Sequence, residues 1–147
     1  MSVEKIERKI SVIFATDVVD YSLHMEKDES GTVTSLRKYE KILKEAFKKH
    51  GGRLFNTGGD SFMAEFSSAV KAVECAIDFQ NIVKEKNIKP ALSFRIGINA
   101  GDVILEKKNL LGDGVNVAAR LEQLSQPNGI TISKSIFDYI EGKLDLK

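Results

Sequence analysis

Residues 10–15, Ile-Ser-Val-Ile-Phe-Ala, are apolar at almost every position. A strand with one wet face alternates apolar and polar residues, whereas a strand without alternation is covered on both sides. This run therefore predicts a buried central strand, and it limits the chain to folds that supply two layers of cover. Thr16 and Asp17 follow at once, so the strand ends on a carboxylate.

The remaining pattern builds outward from that strand. Residues 28–31 read as a loop. Thr32 or Thr34 caps a helix reaching about residue 50, with Val33, Leu36, Tyr39, Ile42, Leu43, Ala46 and Phe47 on one face. Gly51-Gly52 ends it. Residues 53–57 and 61–66 read as two strands joined through Gly58-Gly59-Asp60, a hairpin signal. A second amphipathic helix covers 69–86 and stops before Lys89-Pro90. Residues 92–100 form a strand that Gly101 turns into a second one at 103–106, and 107–111 form a loop. A short helix at 114–124, a strand at 129–133 and a last helix at 134–140 complete the chain. The opening order β-α-β-β-α-β is the ferredoxin-like arrangement, an α+β sheet with helices on one face. The other face needs a cover, and a dimer is one way to provide it.

At 147 residues, 42% of them hydrophobic, the chain suits one domain with a real core. Its net charge of +1 leaves no electrostatic footprint for nucleic acid or an acidic membrane surface. Cys75 is the only cysteine, so no internal disulfide forms. It lies in the helical pattern and reads as inert core. No apolar run approaches the length of a bilayer span, and residues 1–9 are too polar for a signal peptide. These features predict a cytoplasmic domain.

Three stretches carry chemistry. Asp17 follows a buried strand, and Asp60 sits in a Gly-Gly turn. Each has a bland reading as a turn residue. Together, a strand end and a hairpin can bring two carboxylates to one sheet edge, where oxygen ligands suit Mg²⁺ or Mn²⁺. No His/Cys set supports zinc; His24 reads as a loop residue and His50 as a helix end. The amides from Val18 through Val19, Asp20 and Tyr21 to Ser22 can cradle a triphosphate. Asp20 is awkward there, because it adds negative charge. Asn116 and Arg120 stand at i and i+4 on one helix face, fit to meet a ribose and a phosphate. Their bland reading is a surface Asn and an Arg paired with Glu122 or Asp113. Arg95 is a charge inside an apolar strand and needs an anionic partner: Asp17, Asp60 or a phosphate.

Taken together, Ile13-Phe14-Ala15-Thr16-Asp17, Thr57-Gly58-Gly59-Asp60, Arg95-Ile96-Gly97-Ile98 and Val115-Asn116-Val117-Ala118-Ala119-Arg120-Leu121-Glu122 resemble the class III nucleotidyl cyclase catalytic domain. The likeness is to the bacterial adenylate cyclases of the rhizobial type and runs from about residue 9 to residue 140. It implies conversion of ATP to 3′,5′-cyclic AMP and pyrophosphate with two Mg²⁺ or Mn²⁺ ions. Asp17, Val18 and Asp60 would hold the metals, and Asn116 and Arg120 would serve the transition state. Val18, Val19, Asp20, Tyr21, Ser22 and Arg95 would contact substrate. The family works as a head-to-tail homodimer, so the aspartates of one copy would meet Asn116 and Arg120 of the other.

Departures from the family pattern carry equal information. A lysine commonly stands where this chain has Asn56, and an Asp where it has Asn109. Two amides thus replace the pair that reads a purine. A usual glycine is Asp20. The family's final strands would follow Lys147, as would any C-terminal regulatory domain. Two other readings compete. Gly58-Gly59-Asp60-Ser61-Phe62 suggests a diguanylate cyclase, although that family has a second acid where Ser61 stands. A nucleotide-binding or dimerisation module that has lost catalysis would explain Asn56, Asn109 and Asp20.

Overall fold

The computed structural model describes residues 6–144. Its elements are β1 (Glu7–Val18), α1 (Tyr21–Lys27), α2 (Glu29–His50), β2 (Arg53–Gly58), β3 (Ser61–Phe66), α3 (Ala69–Glu85), β4 (Phe94–Glu106), β5 (Asn109–Leu111), α4 (Asp113–Leu124), β6 (Ile130–Ile132) and α5 (Lys134–Ile140). The sheet runs β2-β3-β1-β4-β5, and β6 pairs with β4 in parallel. β1 is central and antiparallel to both neighbours.

Side chains on β1 alternate between two apolar clusters. Val12, Phe14 and Val18 join a core with Leu36, Tyr39, Leu43 and Phe47 of α2, Ala72, Ala76 and Phe79 of α3, and Ile136 and Ile140 of α5. Ile13 and Ala15 point the other way, into a smaller cluster with Val103, Leu110, Val115 and Ala118. Residues 11–18 are buried without a break, which is the two-sided cover that the apolar run predicts, although Ile10 itself is exposed. The ferredoxin-like core keeps both of its helices on one face. On the opposite face the chain supplies part of the cover itself, through α4.

α4 lies so close because glycine lines the seam. A Cβ at Gly97 would strike the Glu122 amide nitrogen and the Ala118 carbonyl oxygen, and one at Gly114 would strike the Asp102 carbonyl at 2.7 Å. Asn99 Nδ2 reinforces the seam by donating to the Gly114 carbonyl at 3.0 Å. Gly97→Ala should therefore cost about 3 kcal/mol, the upper end for overpacking, because main chain cannot step aside as a side chain can. Urea denaturation checks this; an unchanged midpoint would mean that α4 is not seated on Gly97.

Several sequence expectations are corrected. Residues 92–106 do not turn at Gly101: β4 is one 13-residue strand, paired with β1 from Val18↔Phe94 to Glu7↔Leu105. That continuous ladder overrides the turn-like composition. The reversal comes later, at Lys107 with φ 58°, and the expected loop contains β5, which pairs back onto β4. α2 begins at Glu29 rather than beyond Thr32, because the Asp28 side chain accepts the Gly31 amide at 3.0 Å and caps the helix. His24 belongs to α1, not to a loop. His50 does end α2, where it bonds Asp78 at 3.1 Å. Cys75 is buried core, and burial pushes its thiol up to about 12. No helix among the described residues is long and apolar enough to cross a membrane.

Candidate active site

The end of β1, the β2–β3 turn and the last turn of α4 meet at one edge of the sheet. Asp17 is 7% exposed and stands directly opposite Arg95 in the β1–β4 ladder. Arg95 grips it with a fork: Nε donates to Oδ1 at 3.0 Å and Nη2 to Oδ2 at 2.6 Å. Of the three anionic partners open to Arg95, the structure places Asp17. The third guanidinium nitrogen, Nη1, donates to the Gln123 carbonyl at 3.3 Å. The bond to Asp17, set against burial, holds the guanidinium above its ordinary range.

Asp60 comes from the hairpin, where Gly59 takes a left-handed φ of 62°. Its Oδ2 accepts the Val18 amide at 3.2 Å, which ties the turn to the end of β1. Burial raises the Asp60 carboxyl above its ordinary value and the Asp17 charge adds to this, while bonds from the Val18 amide and its own amide oppose it. The two carboxylates therefore feel each other. Among the described residues no group of three or more His, Cys, Asp or Glu side chains forms a metal cluster. Two hard oxygen donors at a sheet edge fit Mg²⁺ or Mn²⁺, with water and substrate phosphates completing the shell.

Glu122 is the residue that sequence reasoning missed. The sequence offers it only as a partner for Arg120, but it lies on the opposite, buried face of α4. Its carboxylate is buried 3.7 Å from Arg95 Nη2 and accepts from Gln123 Nε2 at 2.7 Å. Burial first, and then the Asp17 charge, raise it to about 7. Helical spacing held the signal: Glu122 follows Ala118 by four residues, on the face that packs against the sheet.

The proposed phosphate cradle is narrower than five amides. Val18 gives its N–H to Asp60, and Val19 gives its N–H to the Ser93 carbonyl at 2.8 Å. The amides of Asp20, Tyr21 and Ser22, at the start of α1, donate to no protein group among the described residues. Asp20 has φ 55° and ψ 39°, a left-handed conformation that favours glycine and that Asp tolerates better than most residues. Its exposed side chain makes no capping bond.

Asn116 and Arg120 do stand together, exposed, on the face of α4 turned away from the sheet. Each is two residues from Ala118, about 200° around the helix at 3.6 residues per turn. Arg120 makes no ion pair with Glu122 or Asp113. The structure thus separates them from Asp17 and Asp60 of the same chain. Asn56 is exposed on β2, just after a bulge at Phe55. Asn109 opens β5 and accepts the Leu110 amide at 2.9 Å. Their strands approach where Arg53 Nη1 donates to the Lys108 carbonyl at 2.9 Å, but no bond joins the two asparagines.

Comparison with known proteins assigns the family. The family model described as "Adenylate and Guanylate cyclase catalytic domain" matches residues 2–146. The chain belongs to this family. This cyclase domain is 42% identical over 151 residues to the Rhizobium meliloti protein named "Putative adenylate cyclase 3", covering 99% of this chain and 26% of that protein's length. It superposes on the adenylate/guanylate cyclase/hydrolase from Silicibacter pomeroyi with a TM-score of 0.86 at 33% identity, over 96% of this chain and 85% of that one. It also superposes on the guanylate cyclase domain of RhGC from Catenaria anguillulae, solved in complex with GTP, with a TM-score of 0.83 at 27% identity, over 96% and 90% of the two chains. The cyclase α+β fold is confirmed, and the diguanylate reading is set aside.

Proposed function

We propose that this cyclase domain converts a nucleoside triphosphate, ATP first, into its 3′,5′-cyclic monophosphate and pyrophosphate, at a site shared by two copies arranged head to tail. One observation carries the reading. Asn116 and Arg120 point away from the Asp17/Asp60 edge of their own chain, so a site using all four needs two chains.

In this reading the 3′-hydroxyl loses its proton, its oxygen bonds to the α-phosphorus, and the bond to pyrophosphate breaks. Asp17 and Asp60 hold divalent metal, which when bound supplies charge neutralisation and an acidified hydroxyl. The free amides of Asp20, Tyr21 and Ser22 face the phosphates. Asn116 of the second copy orients the ribose. Arg120 offers a planar fork to the charge that develops on the α-phosphate. The test is direct: incubate the protein with each of the four ribonucleoside triphosphates and Mn²⁺, and identify products by mass spectrometry. Cyclic AMP is expected; no cyclic nucleotide from any substrate would overturn the reading.

Base selection follows from the same reading. Asn56 and Asn109 are neutral amides, each both donor and acceptor, so they discriminate less than a Lys/Asp pair with fixed roles. Measurable turnover of a second triphosphate should accompany that of ATP. Replacing Asn56 by Lys and Asn109 by Asp together should sharpen the preference for ATP. A native protein already strict for ATP, with the double variant no stricter, would remove both positions from base reading.

A further inference from the structure

Asp17 has two claimants. The proposed function needs its oxygens for a divalent cation, yet Arg95 already bonds both of them, at 3.0 and 2.6 Å. Arg95 is not a loose surface cation. It projects from the central ladder opposite Asp17, and its third nitrogen is tied to the Gln123 carbonyl. Glu122 lies 3.7 Å from the same guanidinium, a second carboxyl group beside it. A divalent ion arriving at Asp17 alone meets a fixed positive charge one hydrogen bond away, and it must displace that charge or share the carboxylate with it. Repulsion at this distance is only partly screened, so it disfavours the ion. Polyphosphate changes the balance, because its oxygens attract a guanidinium and a divalent cation alike.

We propose that Arg95 couples metal binding to triphosphate binding: paired with Asp17 it keeps the metal affinity of the empty site low, and by moving to phosphate oxygens it releases Asp17 to the metal. This rests on Asp17 being a metal ligand. Arg95 then acts on the metal through Asp17 and on the triphosphate directly. Linkage makes the effect reciprocal, so bound metal also strengthens the hold of Arg95 on phosphate. The consequence is a site that loads metal and nucleotide together and stays unloaded with free metal alone.

The test measures binding, not turnover. Free Mn²⁺ is followed by electron paramagnetic resonance as it titrates the dimeric protein without nucleotide. Arg95→Gln should bind Mn²⁺ about tenfold more tightly than the native protein, because the competing charge is gone. The same variant should bind the Mn²⁺ complex of α,β-methylene ATP more weakly. A merely structural role would not produce opposite signs. Adding Glu122→Gln to the Arg95→Gln background should preserve the Mn²⁺ gain, which excludes Glu122 as a substitute ligand; loss of the gain would overturn the proposal. Should Arg95→Gln not fold, Arg95→Lys carries the test with a smaller gain, since it keeps the charge but cannot bond both oxygens. Mn²⁺ affinity unchanged or lowered in the folded Arg95 variant overturns the coupling. Asp17→Asn separates the two ideas. Mn²⁺ binding that needs Asp17 but ignores Arg95 removes the coupling and leaves the metal site, whereas binding indifferent to Asp17 removes both.

Discussion

Asp17→Asn and Asp60→Asn should each lower metal-dependent turnover by about 10³-fold or more, the scale reached when a group that organises transition-state charge is removed. The two variants differ in what else they disturb. Asparagine at position 60 keeps an oxygen for the Val18 amide, so the hairpin tie at 3.2 Å survives. Stability should change little, and repulsion from Asp17 is relieved. Asparagine at position 17 keeps only one of its two bonds to Arg95. Glu122, already 3.7 Å from the guanidinium, can take over the charge, which limits the loss to about 1 kcal/mol. Asp60→Asn is thus the cleaner test. Cyclic nucleotide formation with Mn²⁺, measured beside a denaturation curve, decides it. Either folded variant working at the native rate would end the metal assignment.

Arg120→Ala should reduce kcat by about 10²-fold or more with a smaller change in KM, the signature of a contact made in the transition state. Arg120 is exposed and engages no partner among the described residues, so its loss should leave stability within about 0.5 kcal/mol. An effect confined to KM would make it a ground-state contact. The shared site yields a sharper result. Asp17→Asn and Arg120→Ala proteins, each inactive alone, should recover activity when mixed, because each mixed dimer contains one intact site. Random assortment predicts about a quarter of the native sites. No recovery, with mixed dimers demonstrated by mass spectrometry, would confine the site to one chain.

What the sequence made legible is what neighbours in the chain decide. The unalternating run before Asp17 required cover on both faces, and residues 11–18 have it. Gly58-Gly59-Asp60 required a hairpin, and spacing of four placed Asn116 beside Arg120. The last helix was bounded at residues 134 and 140, as observed. What remained hidden depends on partners distant in sequence. Asn99-Ala100-Gly101-Asp102 has turn composition, but β1 runs beside it and keeps it extended. Arg95 announced a need for an anion without naming it, and the ladder register chose Asp17. Glu122 looks like a surface partner for Arg120 in the sequence, because pairing a charge with its nearest neighbour ignores which way the helix is turned. α1 was missed because its seven residues bury no side chain and so leave no apolar stripe to read.

The seam at Gly97 and Gly114 has a further meaning for how such a domain diverges. Main chain rests on main chain there, so the position of α4 is set by atoms that every sequence shares. Side chains elsewhere on the helix and sheet can be exchanged without moving it. Exposed positions of α4 other than Asn116 and Arg120 can vary, while the helix backbone that carries Glu122 stays seated beside the strand that carries Arg95. A rigid joint of this kind lets the helix surface change and keeps the helix itself in register with the sheet.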